Sequence, residues 1–250
     1  MALAKTHTTA VTTVAENAAR ELLSVRHWGD ASFITLPMVY PGGAFVTVKI
    51  EIGQSGFRVG DNGFAYRELE SMGINRSFGN TARSVAENQS LEVDRRSVFV
   101  DVPPELVSRA ICDVAAASWQ IADTAIGRVS EEEEADLEER LRDRLSTVFG
   151  SSKVANEHTI QGASTSAWDV SAIVRTDGNV AVFHAVSKYP NSVFKASTAF
   201  HDLALLEKPP ALIAVVRKKA DLGPRLNLLA QIGNVIEQDQ PDRTYERLVA

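Results

Sequence analysis

Cysteine is nearly absent from this sequence, because Cys112 is the only one among 250 residues. A single cysteine excludes an intramolecular disulfide and the zinc sites that need several thiolates, so we expect a reducing, cytoplasmic setting. Long apolar runs are absent as well. No stretch approaches the roughly 20 residues of a membrane-spanning helix, and the N-terminal segment lacks the apolar core of a signal peptide. The sequence therefore predicts no membrane partner.

Positive charge is also scarce, since 26 Lys and Arg stand against 32 Asp and Glu and give a net charge of −6. This balance disfavours an overall basic surface for nucleic acid, although a local basic patch is compatible with it. The GxxxxGK[ST], GxGxxG, HExxH and GxSxG patterns are all missing. Their absence excludes the common signatures of nucleotide binding, zinc proteolysis and serine hydrolysis.

The apolar content, 44% of the chain, is sufficient for two domains of modest size. We place their boundary at about residue 129, which gives an N-terminal domain over 1–129 and a C-terminal domain over 130–250. Two long helices are expected around the boundary, one over 104–127 and one over 131–149. Ser130 would cap the second helix, and four glutamates would follow in its first turn, where the helix dipole favours negative charge.

The N-terminal domain is predicted to be α+β with a small antiparallel sheet. A helical pattern at 9–25 precedes "AFVTVKIEIG", where apolar and polar residues alternate as in a half-buried strand. The segment "FRVG" is the expected hairpin partner of that strand. A helix follows, and either Asp61 or Asn62 is suited to cap it.

The C-terminal domain is predicted to be an α/β domain with a mixed sheet flanked by helices. The run "ALIAVV" lacks alternation, as is typical of an inner strand that is buried on both faces. The expected order is a helix over 131–149, a strand over 157–163, a hairpin over 167–188, a helix over 191–206, a strand over 211–216 and a helix over 224–238.

The hairpin "WDVSAIVRTDGNVAVFHAVSK" is the most informative stretch. A two-residue turn at Asp177 and Gly178 places Asp169 opposite Val186, while a turn shifted by one residue places Asp169 opposite Lys188. Either register sorts the side chains in the same way. One face is apolar, and the other carries Asp169, Ser171, His184 and Lys188 towards the end away from the turn.

Two interpretations of Asp169 and Lys188 are open. They form an ion pair that holds the end of the sheet, or Asp169 binds a metal ion while Lys188 positions or activates water. Magnesium prefers carboxylate oxygens, and Val186 has none to offer. A metal site would therefore need Glu157 or Asp202 as a further ligand.

Two other polar sets are candidates. His184, His201 and Asp202 have ligand types that suit zinc, although their spacing is unlike a compact zinc motif and favours structural histidines. A basic group near the end of the last predicted strand would contact phosphates or would form a solvated edge that resists aggregation. The candidate binding residues are Arg217, Lys218, Lys219 and Arg225, together with His184 and Ser171.

The order helix, strand, hairpin, helix, strand, with an acid on the first hairpin strand and a lysine after the second, resembles the restriction-endonuclease-like PD-(D/E)XK superfamily. That resemblance implies a magnesium-dependent phosphodiesterase. Asp169 matches the first acid of the family pattern and Lys188 matches its lysine. Val186 stands where the family has its second acid, so the resemblance favours a degenerate site.

The chain also resembles a pair of bacterial domains of unknown function that often occur together in phage and mobile-element genes. The matching segments are "FVTVKIEIGQSGFRVGDNGFAYRELESMGI" and the stretch from "WDVSAIV" to "ALIAVV", which lie within about 30–217. This resemblance implies a phage, prophage or defence-related setting and brings no established activity.

The sequence thus favours a non-catalytic binding protein on a degenerate nuclease scaffold, with a protein partner, without a cofactor, and compatible with nucleic-acid binding and with a homodimer. The first alternative is an active magnesium-dependent nuclease that uses a displaced carboxylate. The second is an acidic inhibitor of a nucleic-acid-binding protein, in a counter-defence role.

Overall fold

The structure is a computed structural model that describes residues 2–54, 56–176 and 178–249. Helices and strands are mixed in it, which confirms the predicted α+β class. The chain divides into two compact units, the first ending at Ile126 and the second beginning at Gly127. None of the described helices combines the length and apolar character that crossing a membrane requires.

The first unit contains a six-stranded sheet in the order β1-β2-β3-β4-β6-β5, and every neighbouring pair is antiparallel. Its strands are β1 (Ser24–Trp28), β2 (Ala31–Val39), β3 (Phe45–Gly53), β4 (Gly56–Gly60), β5 (Glu92–Val93) and β6 (Val98–Val102). Its helices are α1 (Ala2–Glu21), α2 (Phe64–Ser71), α3 (Phe78–Gln89) and the beginning of α4 (Val107–Phe149).

The connection from β4 to α2 is organised by Asp61, which is fully buried. Its carboxylate accepts hydrogen bonds from the backbone N–H groups of Gly63, Ala65 and Val98 and from the Ser118 hydroxyl. Burial raises the pKa of Asp61, and these four donors oppose that rise. Asp61 rather than Asn62 therefore satisfies the free N–H groups at the start of α2.

Helix α4 corrects one sequence prediction, because a single 43-residue helix replaces the two helices expected on either side of Ser130. Ser130 lies inside this helix and caps nothing. Its hydroxyl is buried and donates to the Glu134 carboxylate at 2.9 Å. Since that side chain is satisfied within the helix, it does not compete for the backbone and the helix continues.

The second unit contains a four-stranded mixed sheet in the order β12-β11-β10-β9. Strands β9 and β10 are antiparallel, whereas β10, β11 and β12 are parallel. Beside it lies a two-stranded sheet formed by β7 and β8. The bounds are β7 (Thr159–Gln161), β8 (Ala167–Asp169), β9 (Ala172–Thr176), β10 (Asn179–Ala185), α5 (Pro190–Ala204), β11 (Ala211–Val216), α6 (Leu226–Ala230), β12 (Asn234–Glu237) and α7 (Asp242–Val249).

Both faces of the four-stranded sheet are buried. Leu145 of α4 and Tyr245 of α7 pack with Phe183 on one face, and Phe200 of α5 packs with Val182 on the other. Strand β11 has a neighbour on each side and is almost wholly buried, as its unalternating sequence predicted. Burial of both faces excludes water from the sheet and accounts for its continuous apolar runs.

The predicted helix over 224–238 is wrong in its second half. A 3-10 segment at Lys219–Arg225 leads into the short α6, and β12 then adds a strand beside β11. A side chain at Gly233 would meet the Leu212 carbonyl at 2.6 Å, so the missing Cβ allows the chain to approach β11. The pairing of β12 with β11 overrides the weak helical preference of this segment.

The hairpin register was predicted correctly near the turn and wrongly at its far end. Asn179 lies opposite Thr176 and Phe183 lies opposite Ala172, which is the register of a two-residue connection. Residue 177, the first of the predicted turn pair, lies outside the described residues. Beyond Ala172 the strand is interrupted, and β8 pairs with β7 instead of β10. Asp169 therefore does not lie opposite Val186 or Lys188.

Candidate functional site

Polar side chains gather where β10 and β11 end. Glu133 and Glu134 come from α4, Ser187 and Lys188 follow β10, and Arg217 follows β11. We call these five residues the strand-end cluster. The two strands are parallel, so their carboxyl ends share one edge of the sheet, and that edge is where α/β folds commonly bind ligands.

A buried hydrogen-bond network forms the inner part of the strand-end cluster. The Ser130 hydroxyl lies 2.9 Å from the Glu134 carboxylate and 2.7 Å from the Ser187 hydroxyl. Ser187 also donates to Glu134 at 3.3 Å, and its backbone N–H donates to the Ser192 hydroxyl. Glu134 is half-buried and has two hydroxyl donors, so its carboxylate is satisfied where solvent reaches it only in part.

Arg217 is neutralised by carboxylates of α4. Its guanidinium donates to Asp136, and its Nε atom lies 3.6 Å from Glu133. Burial raises the pKa of Glu133, and the charges of Arg217 and Lys188 oppose this rise. The guanidinium predicted to contact phosphates is therefore already engaged within the same chain.

Lys188 is half-buried at the edge of the strand-end cluster. Its Nζ atom lies 5.4 Å from the centre of the Tyr189 ring, and its charge acts on Glu133. No ion pair joins Lys188 to Asp169 in the described part of the chain. The predicted bridge between these two residues is absent because β8 has left the hairpin.

The three carboxylates predicted as metal ligands lie in separate contacts. Asp169 is exposed and accepts from the Thr159 hydroxyl at 3.0 Å, and Glu157 lies 3.4 Å from Arg175. Asp202 belongs to an interaction between α5 and the loop before β8. No group of three His, Cys, Asp or Glu side chains suited to a metal ion is found among residues 2–54, 56–176 and 178–249.

Asp202 is engaged by three donors. It accepts from the Trp168 indole N–H at 2.7 Å, from the Ser164 hydroxyl at 2.7 Å and from the Ser164 backbone N–H at 2.8 Å. These hydrogen bonds, with that of Trp168 the strongest, lower the pKa of Asp202. The carboxylate holds β8 beside α5, which is a structural task.

The histidines are not brought together with Asp202 as a zinc site. His184 points its ring against Phe200, and its Nδ1 atom is buried without a hydrogen bond. Burial lowers the pKa of His184 to about 4, while the charges of Glu134 and Asp169 oppose this decrease. His201 is exposed on α5. His184 is therefore a neutral imidazole at physiological pH, as a buried structural histidine would be.

The remaining predicted binding residues divide into two groups. Ser171 is buried, and its hydroxyl accepts from the Ala185 N–H at 2.9 Å. Arg225 approaches the strand-end cluster and donates to the Lys188 carbonyl at 3.3 Å. Lys218 and Lys219 are exposed to solvent. The predicted basic group thus contributes two exposed cations, while both of its arginines are engaged within the chain.

The acidic residues of α4 were missed as site residues, because their position was interpreted as a solvated helix start. A signal for them is present in the sequence. Ser130, Glu134, Leu137 and Leu141 recur at spacings of three and four, so they share one face of a helix. Leu137 and Leu141 are buried. Extending this stripe upstream would have placed Ser130 and Glu134 against the sheet.

The chemistry available at this edge is limited by Val186. The Val186 side chain, which the sequence resemblance aligned with a second acid, is 1% exposed and belongs to the apolar core with Val182 and Val193. Comparisons of the chain with protein-family models, with curated proteins and with solved structures each gave no match. The side-chain geometry is therefore the basis on which a function is assigned.

Proposed function

We propose that this chain is a non-catalytic binding protein whose C-terminal unit is a nuclease-like scaffold without a catalytic carboxylate set. The observation that carries the proposal is the burial of Val186 at the second acid position. Valine has no oxygen atom to offer a metal ion, and its packing in the core leaves no room for another ligand at this position. The hairpin therefore presents a lysine without the carboxylates that would hold magnesium beside it.

The position of the first acid supports the same proposal. Asp169 lies at the end of β8, and it faces Thr159 across the small sheet. Moving it beside Lys188 would require β8 to leave β7 and Trp168 to leave Asp202. Catalysis by the family pattern would thus need a local refolding of the unit.

A protein partner is favoured over nucleic acid by the state of the basic residues. Binding to a phosphate backbone needs several cations that are free to replace counterions. Arg217 is paired with Glu133 and Asp136, and the whole chain carries a net charge of −6. An acidic inhibitor in a phage or defence setting is a special case of this proposal, in which the partner's surface is basic.

A second candidate function is a magnesium-dependent nuclease with its carboxylate displaced onto α4. One observation favours it, namely that Glu133 lies within the electrostatic reach of Lys188. Neither carboxylate suggested by the sequence supplies that group, because Glu157 and Asp202 are engaged elsewhere. Glu134 is the other carboxylate of this edge, although two serine hydroxyls hold it.

The test is a cleavage assay of the purified full chain on linear duplex DNA, single-stranded DNA and RNA with millimolar magnesium or manganese. We expect no cleavage above a no-protein control. The matched variants are Glu133→Gln, Glu134→Gln and Lys188→Ala, with Asp169→Asn as the control outside the strand-end cluster. Metal-dependent cleavage that these three variants abolish and Asp169→Asn retains would establish the nuclease and overturn the binding proposal.

The binding function itself is tested in two steps. Proteins that co-purify with the tagged chain are identified, and the affinity of each for the chain is then measured with both components purified. We expect one protein to rebind, and Lys188→Glu or Lys218→Glu to weaken it at least tenfold. Arg83, an exposed charge of the first unit, supplies the control Arg83→Glu. Equal loss with the control, or no protein that rebinds, contradicts the proposal.

A further inference from the structure

The segment from residue 10 to residue 30 is exposed at every position. It includes the second half of α1 and the whole of the edge strand β1. A helix in water normally gains its stability by packing one apolar face, and short isolated helices are marginal. Helix α1 carries such a face, formed by Val11, Val14 and Ala18, which recur at spacings of three and four. We call these three residues the apolar ridge.

Exposed apolar side chains are concentrated in this part of the first unit. Of the 13 large apolar side chains exposed in the described residues, nine lie between Val11 and Ile52. Trp28 is the extreme case, with 83% of its surface exposed. A concentration of exposed apolar side chains of this kind is typical of an interaction site.

An open groove of about 920 Å³ lies against the same strands. Its apolar lining includes Leu22, Trp28, Phe33, Leu36, Phe45 and Phe64. We call it the apolar groove. Trp28 of β1 is exposed, and Phe33 of β2 is half-buried. The unit thus carries an exposed ridge and an open groove.

We propose that a second copy of this chain covers both, with the apolar ridge of each chain seated in the apolar groove of the other about a two-fold axis. A two-fold contact uses the same patch on both subunits, so the patch must contain complementary parts. Here one chain supplies a ridge and a groove within the same unit. A single reciprocal contact buries both, whereas an unrelated partner would need separate surfaces for each.

The size and the charge of the surface fit this occupant. A stable interface uses roughly 20–30 residues from each partner, and the exposed stretch at 10–30 together with the exposed side chains of β2 supplies that number. Glu21 and Arg26 both line the apolar groove. Neither has an ion pair among the described residues. A two-fold contact between two such grooves places Glu21 of each chain beside Arg26 of the other at the rim.

The inference is independent of the proposed function, since a cleavage assay does not report on the oligomeric state. Its test is the mass of the full chain at about ten to fifty micromolar by light scattering coupled to size exclusion. We expect twice the 27.1 kDa of one chain. Val14→Glu and Trp28→Glu should each give the mass of one chain. Both side chains are exposed in the single chain, so neither change removes core packing.

Leu205→Glu is the matched control, because Leu205 is 76% exposed and lies in the second unit. It should leave the doubled mass unchanged. A wild-type mass of one chain overturns the proposal and leaves another protein as the occupant. A doubled mass that both Val14→Glu and Trp28→Glu retain overturns it as well.

Charge reversal tests the reciprocal geometry. Glu21→Arg and Arg26→Glu should each weaken the dimer about tenfold, because each places like charges at both rims. An equimolar mixture of the two variants should restore the wild-type dissociation constant, since the mixed dimer has opposite charges at both contacts. A mixture no tighter than the separate variants overturns the ridge-in-groove arrangement.

Discussion

The Trp168 indole donates a hydrogen bond to the Asp202 carboxylate at 2.7 Å, and this contact joins β8 to α5. It explains why the hairpin is shorter than its sequence suggests. With Trp168 anchored to α5, β8 pairs with β7, and the chain reaches β9 only after Val170 and Ser171. Asp169 is thereby kept at the surface and away from Lys188.

Asp202→Asn should lower the melting temperature of the second unit by several degrees, because the neutral amide is a weaker acceptor for Trp168 and Ser164. The measurement is thermal unfolding followed by circular dichroism. Asp169→Asn is the control, since Asp169 is exposed with a single described side-chain partner, Thr159. An effect of Asp169→Asn as large as that of Asp202→Asn would show that the contact with α5 is not special.

Gly162→Ala should disrupt the same contact from the other side. A Cβ at residue 162 would clash with the Asp202 carboxylate and would lie 2.9 Å from the Trp168 indole nitrogen. We expect a lower unfolding midpoint in urea. Gly127→Ala is the matched control, since Gly127 lies in α4 with nothing within 4 Å of an added Cβ. That change should stabilise the helix by about 0.5–1 kcal/mol, and a loss of stability there would contradict the expectation.

Ser130→Ala and Ser187→Ala should each destabilise the second unit by about 1–3 kcal/mol, because each removes a buried hydroxyl that donates to the half-buried Glu134 carboxylate. The double variant should lose less than the sum of the two, since both serines serve Glu134. The free energy of unfolding in urea measures the effect. Ser151→Ala, at an exposed position after α4, should be nearly neutral. Strict additivity would contradict a shared network.

His184 should make the second unit less stable in acid. Its pKa is lowered from 6.5 to about 4 in the folded chain, because burial disfavours the charged imidazolium. Between these two values the unfolded chain binds more protons, so stability decreases as the pH falls from 6.5 and levels off below about 4. The total loss is about 3 kcal/mol, at about 1.4 kcal/mol for each pH unit.

His184→Leu tests that dependence, since leucine does not titrate and the neighbouring Phe200 is apolar. Unfolding free energies of wild type and variant should diverge between pH 7 and pH 4, with the wild type falling more steeply. His201→Gln removes an exposed histidine and should follow the wild-type curve. Parallel curves for His184→Leu and the wild type would show that the ring takes up its proton without cost.

Local patterns were sufficient for much of the fold. The β3–β4 hairpin, α2, α5 and β11 all occur where periodicity and turn residues predicted them. The register near residues 176 and 179 also followed from the turn length. In each case the deciding interaction joins residues close in sequence, so a short window contains the information.

The candidate site was less predictable, because its residues come from distant parts of the chain. Lys188 and Arg217 were identified as candidates, and the structure places both in the strand-end cluster with Glu133. Asp169 was a candidate metal ligand that would have needed Glu157 or Asp202 beside it, and each of the three is held by a different neighbour. The spacing of these acids along the chain does not indicate which residues they contact in the folded protein.

The sequence by itself determined which segments form helices and strands and which side of each is apolar. These features depend on side-chain periodicity and on turn chemistry. The tertiary structure alone decided where Ser130, Trp168 and Asp202 find their partners. A buried hydroxyl or carboxylate must be satisfied by whatever group lies nearest in space. That requirement accounts for the hydrogen bond of the buried Ser130 to Glu134 inside α4. The contact of Trp168 with Asp202 keeps Asp169 away from Lys188, and Val186 lies in the core.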